Sequence, residues 1–131
     1  MTKNSDCVVF EYLYRDASNY KAWGALLLTG DWTEEDTLCL VRCLDSKELF
    51  VAEQVGIPVL HAELYQYSGG MTVDDHAFHE FSSIRPATAD DMKSMAPWGS
   101  AKKLLDAFGA VKGHWDVTLS PHCDGWYGWH R

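Results

Sequence analysis

Apolar and polar positions alternate most regularly over Val8 to Leu28, VVFEYLYRDASNYKAWGALLL, which predicts two strands joined by a short polar loop. In the first arm Val8, Phe10, Tyr12 and Tyr14 share one side, and Val9, Glu11, Leu13 and Arg15 share the other. β-Branched and aromatic residues dominate it, as a half-buried pleated surface prefers. Asp16, Ser18 and Asn19 carry short polar side chains that bond nearby backbone groups and favour a turn. Gly24, in the return arm, marks either a bulge or a position where another group packs close to the backbone. A lone hairpin is marginal in water, so further strands or a helix must cover its apolar side.

Beyond the hairpin the period changes. Thr33 with Asp36 three residues later is a capping pair, and Thr37, Leu40, Val41 and Leu44 share one helical face, which predicts a helix over 33–44. The run SKELFVAEQVGIPVL suits either a helical turn followed by a loop or a short strand at Leu49 to Val51, with Gly56 and Pro58 ending whatever precedes them. Residues Ala62 to Tyr67 read as a strand before a Gly69-Gly70 turn, and Ala77 to Ile84 as another strand that Pro86 stops. Thr88 with Asp91 repeats the capping signal ahead of a short acidic helix through Met95, after which Pro97 and Gly99 interrupt. Ser100 caps a further helix, AKKLLDAF, with its end expected at Gly109, and a last strand is expected over 114–119. Together these elements predict an α+β fold: an antiparallel sheet starting with an N-terminal hairpin, with two or three helices packed on one face.

Length and composition sharpen this picture. A chain of 131 residues, 47% hydrophobic and 13% aromatic, predicts a single globular domain over 1–131 with a real core. No apolar run reaches membrane-spanning length, and MTKNSDCVVF lacks the basic start and long apolar stretch of a secretory signal, so a cytoplasmic location is expected. Cys7, Cys39, Cys43 and Cys123 are then expected to be reduced and mostly buried. The net charge of −8 is uneven: residues 1–91 carry 16 acidic and 6 basic side chains, a balance of −10, whereas residues 92–131 carry 3 acidic and 5 basic, a balance of +2. An acidic surface repels phosphates and attracts basic proteins, which disfavours direct nucleic-acid binding.

Three stretches could carry chemistry. The hairpin tip gathers Tyr14, Arg15, Asp16, Asn19, Tyr20 and Lys21. Arg15 could clamp a carboxylate or phosphate there by two parallel hydrogen bonds, while the plainer reading has Asp16 and Asn19 building the turn and Arg15 and Lys21 pairing across strands. The segment Asp74-Asp75-His76-Ala77-Phe78-His79-Glu80 supplies imidazoles and carboxylates suited to a divalent ion such as zinc. On a helix His76 and His79 would share a face, but alternation favours a strand, on which they point to opposite sides. The tail holds Trp126 and Trp129 beside Tyr127, residue types enriched at protein interfaces, and Trp115, which is expected to be buried. No GxSxG elbow, HExxH pair or phosphate-binding glycine loop is present.

At Tyr14-Arg15-Asp16, Asn19-Tyr20-Lys21, the run Phe50 to Pro58, and Asp75-His76 with His79-Glu80, the chain resembles a family of small bacterial proteins of uncharacterised activity. The resemblance covers residues 8–85 and implies no activity, cofactor or partner.

The leading expectation is a non-enzymatic acidic module that needs no cofactor and binds a protein with a basic surface. In specific form it is an inhibitor occupying a partner's basic nucleic-acid-binding groove. Tyr14, Arg15, Asp16, Asn19, Lys21, Trp126 and Trp129 are its candidate binding residues. The alternative is a small metal-dependent hydrolase using His76, His79 and Glu80, with Asp75 or Glu53 assisting. A homo-oligomer with the tail at its interface is a third reading.

Overall fold

Alternation over the N-terminal segment produces the hairpin that forms the middle of the sheet. The computed structural model describes residues 7–16, 18–46, 48–61, 64 and 76–120. Strands β1 (Cys7–Arg15) and β2 (Lys21–Thr29) pair antiparallel in unbroken register, from Cys7 opposite Thr29 to Arg15 opposite Lys21. Strand β4 (Phe78–Pro86) lies antiparallel on the other side of β1, and the short β3 (Leu49–Val51) lies outside β4. Strand β5 (Pro97–Ser100) completes the order β3-β4-β1-β2-β5.

The sheet is mixed, because β5 runs parallel to β2. Both β4 and β2 are antiparallel to β1 and so point the same way. The chain leaving β4 crosses through helix α3 (Ala89–Ser94) to the far edge, and a crossover of this kind returns the strand parallel. The sequence reading treats 97–99 only as an interruption. Pro97, with no backbone N–H to offer a ladder, is tolerated there because it opens an edge strand.

Three helices cover one face of the sheet, as expected. Val8, Phe10 and Tyr12 of β1, with Leu26 and Leu28 of β2, pack against Leu40 and Cys43 of α1 (Glu34–Cys43), Val55 of α2 (Ala52–Val55), and Leu104 and Phe108 of α4 (Ala101–Val111). A bulge between Glu11 and Tyr12 shifts the β4 register, so that Phe81 faces Tyr12 and Ile84, three residues on, faces Phe10 and the same core. The opposite face holds a smaller cluster of Cys7, Val9, Leu27 and Ala87, with Met95 packed on it.

Both capping pairs form complete capping boxes. Thr33 and Asp36 open α1, and Thr88 and Asp91 open α3. Ser100 caps α4 by accepting the Lys103 N–H at 2.9 Å. The ambiguous run resolves into both of its elements, β3 followed directly by α2, which Gly56 closes in the left-handed conformation at φ 74°.

Two expectations are corrected. Helix α4 does not end at Gly109 but continues to Val111, because an exposed helical glycine costs only about 1 kcal/mol, less than the packing that α4 gains through its buried face. Residues 114–119 form no strand. Instead Asp116 accepts the Thr118 N–H (3.0 Å) and hydroxyl (2.6 Å) and starts a 3-10 turn at Val117–Leu119. The strand expected at Ala62 to Tyr67 lies, apart from Leu64, outside the described residues, as does the Gly69-Gly70 turn.

Gly24 is a site of close approach. Tyr12, its register partner on β1, lies across it, and a Cβ there would come within 2.9 Å of both Tyr12 Cζ and Leu60 Cδ2. The buried Tyr12 hydroxyl donates to the Pro58 carbonyl at 2.6 Å, and burial pushes its phenol up to about 12. Tyr12 therefore has little room to retreat. Gly24→Ala is expected to lower stability by about 1–3 kcal/mol through overpacking. Thermal unfolding measures this, and an unchanged midpoint would contradict the packing described.

Candidate functional site

The hairpin tip folds by local chemistry. Asp16 Oδ1 accepts the backbone N–H groups of Ser18 and Tyr20, both at 2.9 Å, and Asp16 N–H donates to the Tyr20 carbonyl at 3.0 Å. Asn19 takes the left-handed conformation at φ 71°, which its short polar side chain tolerates. Asp16 and Asn19 thus build the turn. Arg15 stands opposite Lys21 in the hairpin register, while its guanidinium turns to other partners. Its Nε donates to Glu80 Oε2 at 2.8 Å, its Nη2 to Glu80 Oε1 at 3.3 Å, and its Nη1 to Asn19 Oδ1 at 2.5 Å. The two-pronged grip on a carboxylate that the sequence suggested is made, but inside the molecule, and the Glu80 bond raises the guanidinium further above its ordinary value.

Tyr14 leaves the tip altogether. It is fully buried, its ring 3.9 Å from that of His61 and 5.5 Å from that of His79, and its oxygen accepts the His76 N–H at 3.2 Å. Lys21 and the neighbouring Tyr20 are exposed. Trp126 and Trp129 lie outside the described residues.

The histidine segment is a strand from Phe78, so His79 and Glu80 face opposite sides of the sheet. His79 is fully buried, with Tyr12, Phe50 and His61 around its ring. Its Nε2 accepts the Leu60 N–H at 3.1 Å, which only a neutral ring protonated on Nδ1 can do. His76 precedes the strand. Its Nε2 donates to the Arg15 carbonyl at 2.7 Å, and its Nδ1 accepts the Phe78 N–H at 3.1 Å, so its tautomer is also set. His61 Nε2 donates to the His76 carbonyl at 2.7 Å. The structure therefore brings His76, half-buried, and His79 into one cluster with the buried His61 and Tyr14, and it places Glu80 on Arg15 instead. Among the described residues no three His, Cys, Asp or Glu side chains group as metal ligands. Glu53 is remote in role: it accepts the Ser120 hydroxyl at 2.7 Å and helps tie the segment after α4 to α2.

Sequence reasoning missed His61. Its one signal was position, an imidazole at the end of the apolar run Ile57 to Leu60, where neighbours drive burial.

Comparison with protein-family models, with curated proteins and with solved structures finds no match.

The charges show how the chain is organised. Arg85 is held by Glu11 at 3.2 Å and Asp91 at 2.6 Å, and this guanidinium, with the Thr88 N–H, holds the Asp91 carboxyl well below the usual carboxylate range. Arg15 and Arg85 are thus neutralised within the fold. Asp31, Glu34 and Glu35 are exposed around the start of α1 and form no ion pair among the described residues. Cys7, Cys39 and Cys43 are free thiols. Cys39 is exposed, and burial pushes the Cys43 thiol up. Cys123 lies outside the described residues. No helix among the described residues is long and apolar enough to cross a membrane.

Proposed function

We propose that the chain is a non-enzymatic interaction module that binds a basic protein through its acidic exterior, in its specific form by occupying a nucleic-acid-binding groove. One observation carries the reading. The arginines of the sheet are paired internally, Arg15 with Glu80 and Arg85 with Glu11 and Asp91, while carboxylates at the start of α1 face solvent unpaired among the described residues. The exterior near α1 therefore presents a negative field, which steers basic surfaces toward it and is screened by salt.

Capture from a lysate with duplex DNA as competitor tests this. Basic, nucleic-acid-binding proteins are expected to be retained at low salt and released by DNA. A capture profile without basic proteins, or one that DNA leaves unchanged, would end the groove-occupying form.

A further inference from the structure

An open-sided groove of about 200 Å³ lies between the starts of α1 and β1 and the end of β4. Apolar side chains of Val8, Trp32, Ile84 and Pro86 line it together with Glu34 and Arg85. Small-molecule sites usually measure roughly 300–1,000 Å³, so this groove suits one side chain rather than a ligand of that class. The Trp32 indole N–H donates to Thr37 Oγ1 at 2.8 Å, which ties the ring to α1.

The charge around the groove selects the occupant. Arg85 offers an anion little, because its guanidinium is held by Glu11 and Asp91 on the side of the sheet away from Phe10 and Ile84. Glu34 therefore supplies the charge of the groove itself, with Asp31 and Glu35 near it in the chain, exposed. Against them the start of α1 contributes the equivalent of only about half a positive charge. The balance is negative over an apolar floor. An arginine matches both halves, since its aliphatic stem lies along apolar surface while its planar guanidinium stacks on indole and grips a carboxylate by two hydrogen bonds.

We propose that this groove seats an exposed arginine side chain of the basic partner, stem against Ile84 and Trp32, guanidinium on Glu34. The inference rests on the basic-partner reading above and gives it a contact point.

The probe is an acetylated, amidated Gly-Arg-Gly peptide titrated into the full chain and followed by NMR, with Gly-Lys-Gly and the neutral Gly-citrulline-Gly as comparisons. The arginine peptide is expected to shift the Trp32 indole and Glu34 signals saturably, the lysine peptide less, and the citrulline peptide not at all. Glu34→Gln should weaken the arginine peptide about tenfold, the scale of one charge-assisted contact, and Glu34→Arg should abolish its binding. Glu34 is exposed and is not one of the capping residues, so both variants should fold, with Glu34→Arg melting slightly lower because a cation is disfavoured at the start of α1. Shifts spread evenly over all acidic residues, equal binding of citrulline, or indifference to Glu34→Arg would each overturn the proposal. If the peptide fails to seat while lysate capture of basic proteins persists, the groove is wrong and the wider reading stands. If the peptide seats but no basic protein is captured, the groove stands and the wider reading falls.

Discussion

Phe108→Ala is expected to lower the stability of the fold by about 3–5 kcal/mol, the usual cost of truncating a fully buried aromatic residue. Phe108 is the fully buried aromatic of α4, and its ring meets Phe50 edge-on at 5.2 Å, Phe10 at 6.1 Å and Trp115 at 5.9 Å. Those three rings come from β3, β1 and the segment after α4, so one truncation loosens the helix from both strands and from the chain that follows it. Trp115 would lose its edge contact but keep the bond from its indole N–H to the Cys43 carbonyl at 2.8 Å. Collapse of the site is therefore incomplete and a cavity remains, which places the loss toward the upper part of the range. Chemical denaturation measures it. A loss below about 1 kcal/mol would mean that α4 is not docked as described, because such small changes are typical of surface positions.

His79→Leu is the second large effect, with an expected loss of about 1–3 kcal/mol from leaving the Leu60 N–H without its acceptor. The leucine fills much of the same apolar space against Phe50 and Tyr12 but offers the Leu60 N–H no acceptor. Equilibrium denaturation measures the loss, and an unchanged midpoint would contradict the bond described.

What the sequence discloses depends on how far apart the interacting residues are. Thr33 with Asp36 and Thr88 with Asp91 are three apart, and each pair forms the capping box that its spacing announces. The hairpin is equally local, since its alternation decides which of Phe10 and Glu11 faces the core. Arg15 marks the limit. Its residue type points to a bidentate carboxylate, but the carboxylate is Glu80, 65 positions away on β4, and only the folded register brings them together. Strand β5 is four residues beginning with proline, and it is a strand only because Leu27, Leu28 and Thr29 present a ladder to it. Residues 114–119 err in the other direction. Alternation there is real, but Asp116 satisfies local donors and Gln54 takes the Asp116 N–H at 2.8 Å, so no strand partner is needed. His61 was hidden for the same reason as Glu80, because its neighbours Tyr14 and His76 are distant in the chain. The charge asymmetry was countable from the start, whereas which arginines it leaves free of internal partners was not.

If the protein acts through the unpaired carboxylates around α1, as proposed, the salt dependence of its affinity for the captured basic partner will show it. The wild type is measured beside a variant carrying Asp31→Asn, Glu34→Gln and Glu35→Gln, none of which contributes a capping side chain to α1. Wild-type affinity is expected to fall steeply as salt shortens the screening length toward a few ångströms, and the variant to bind weakly with a much flatter salt profile. Equal affinity and equal salt slopes for the two proteins would contradict it.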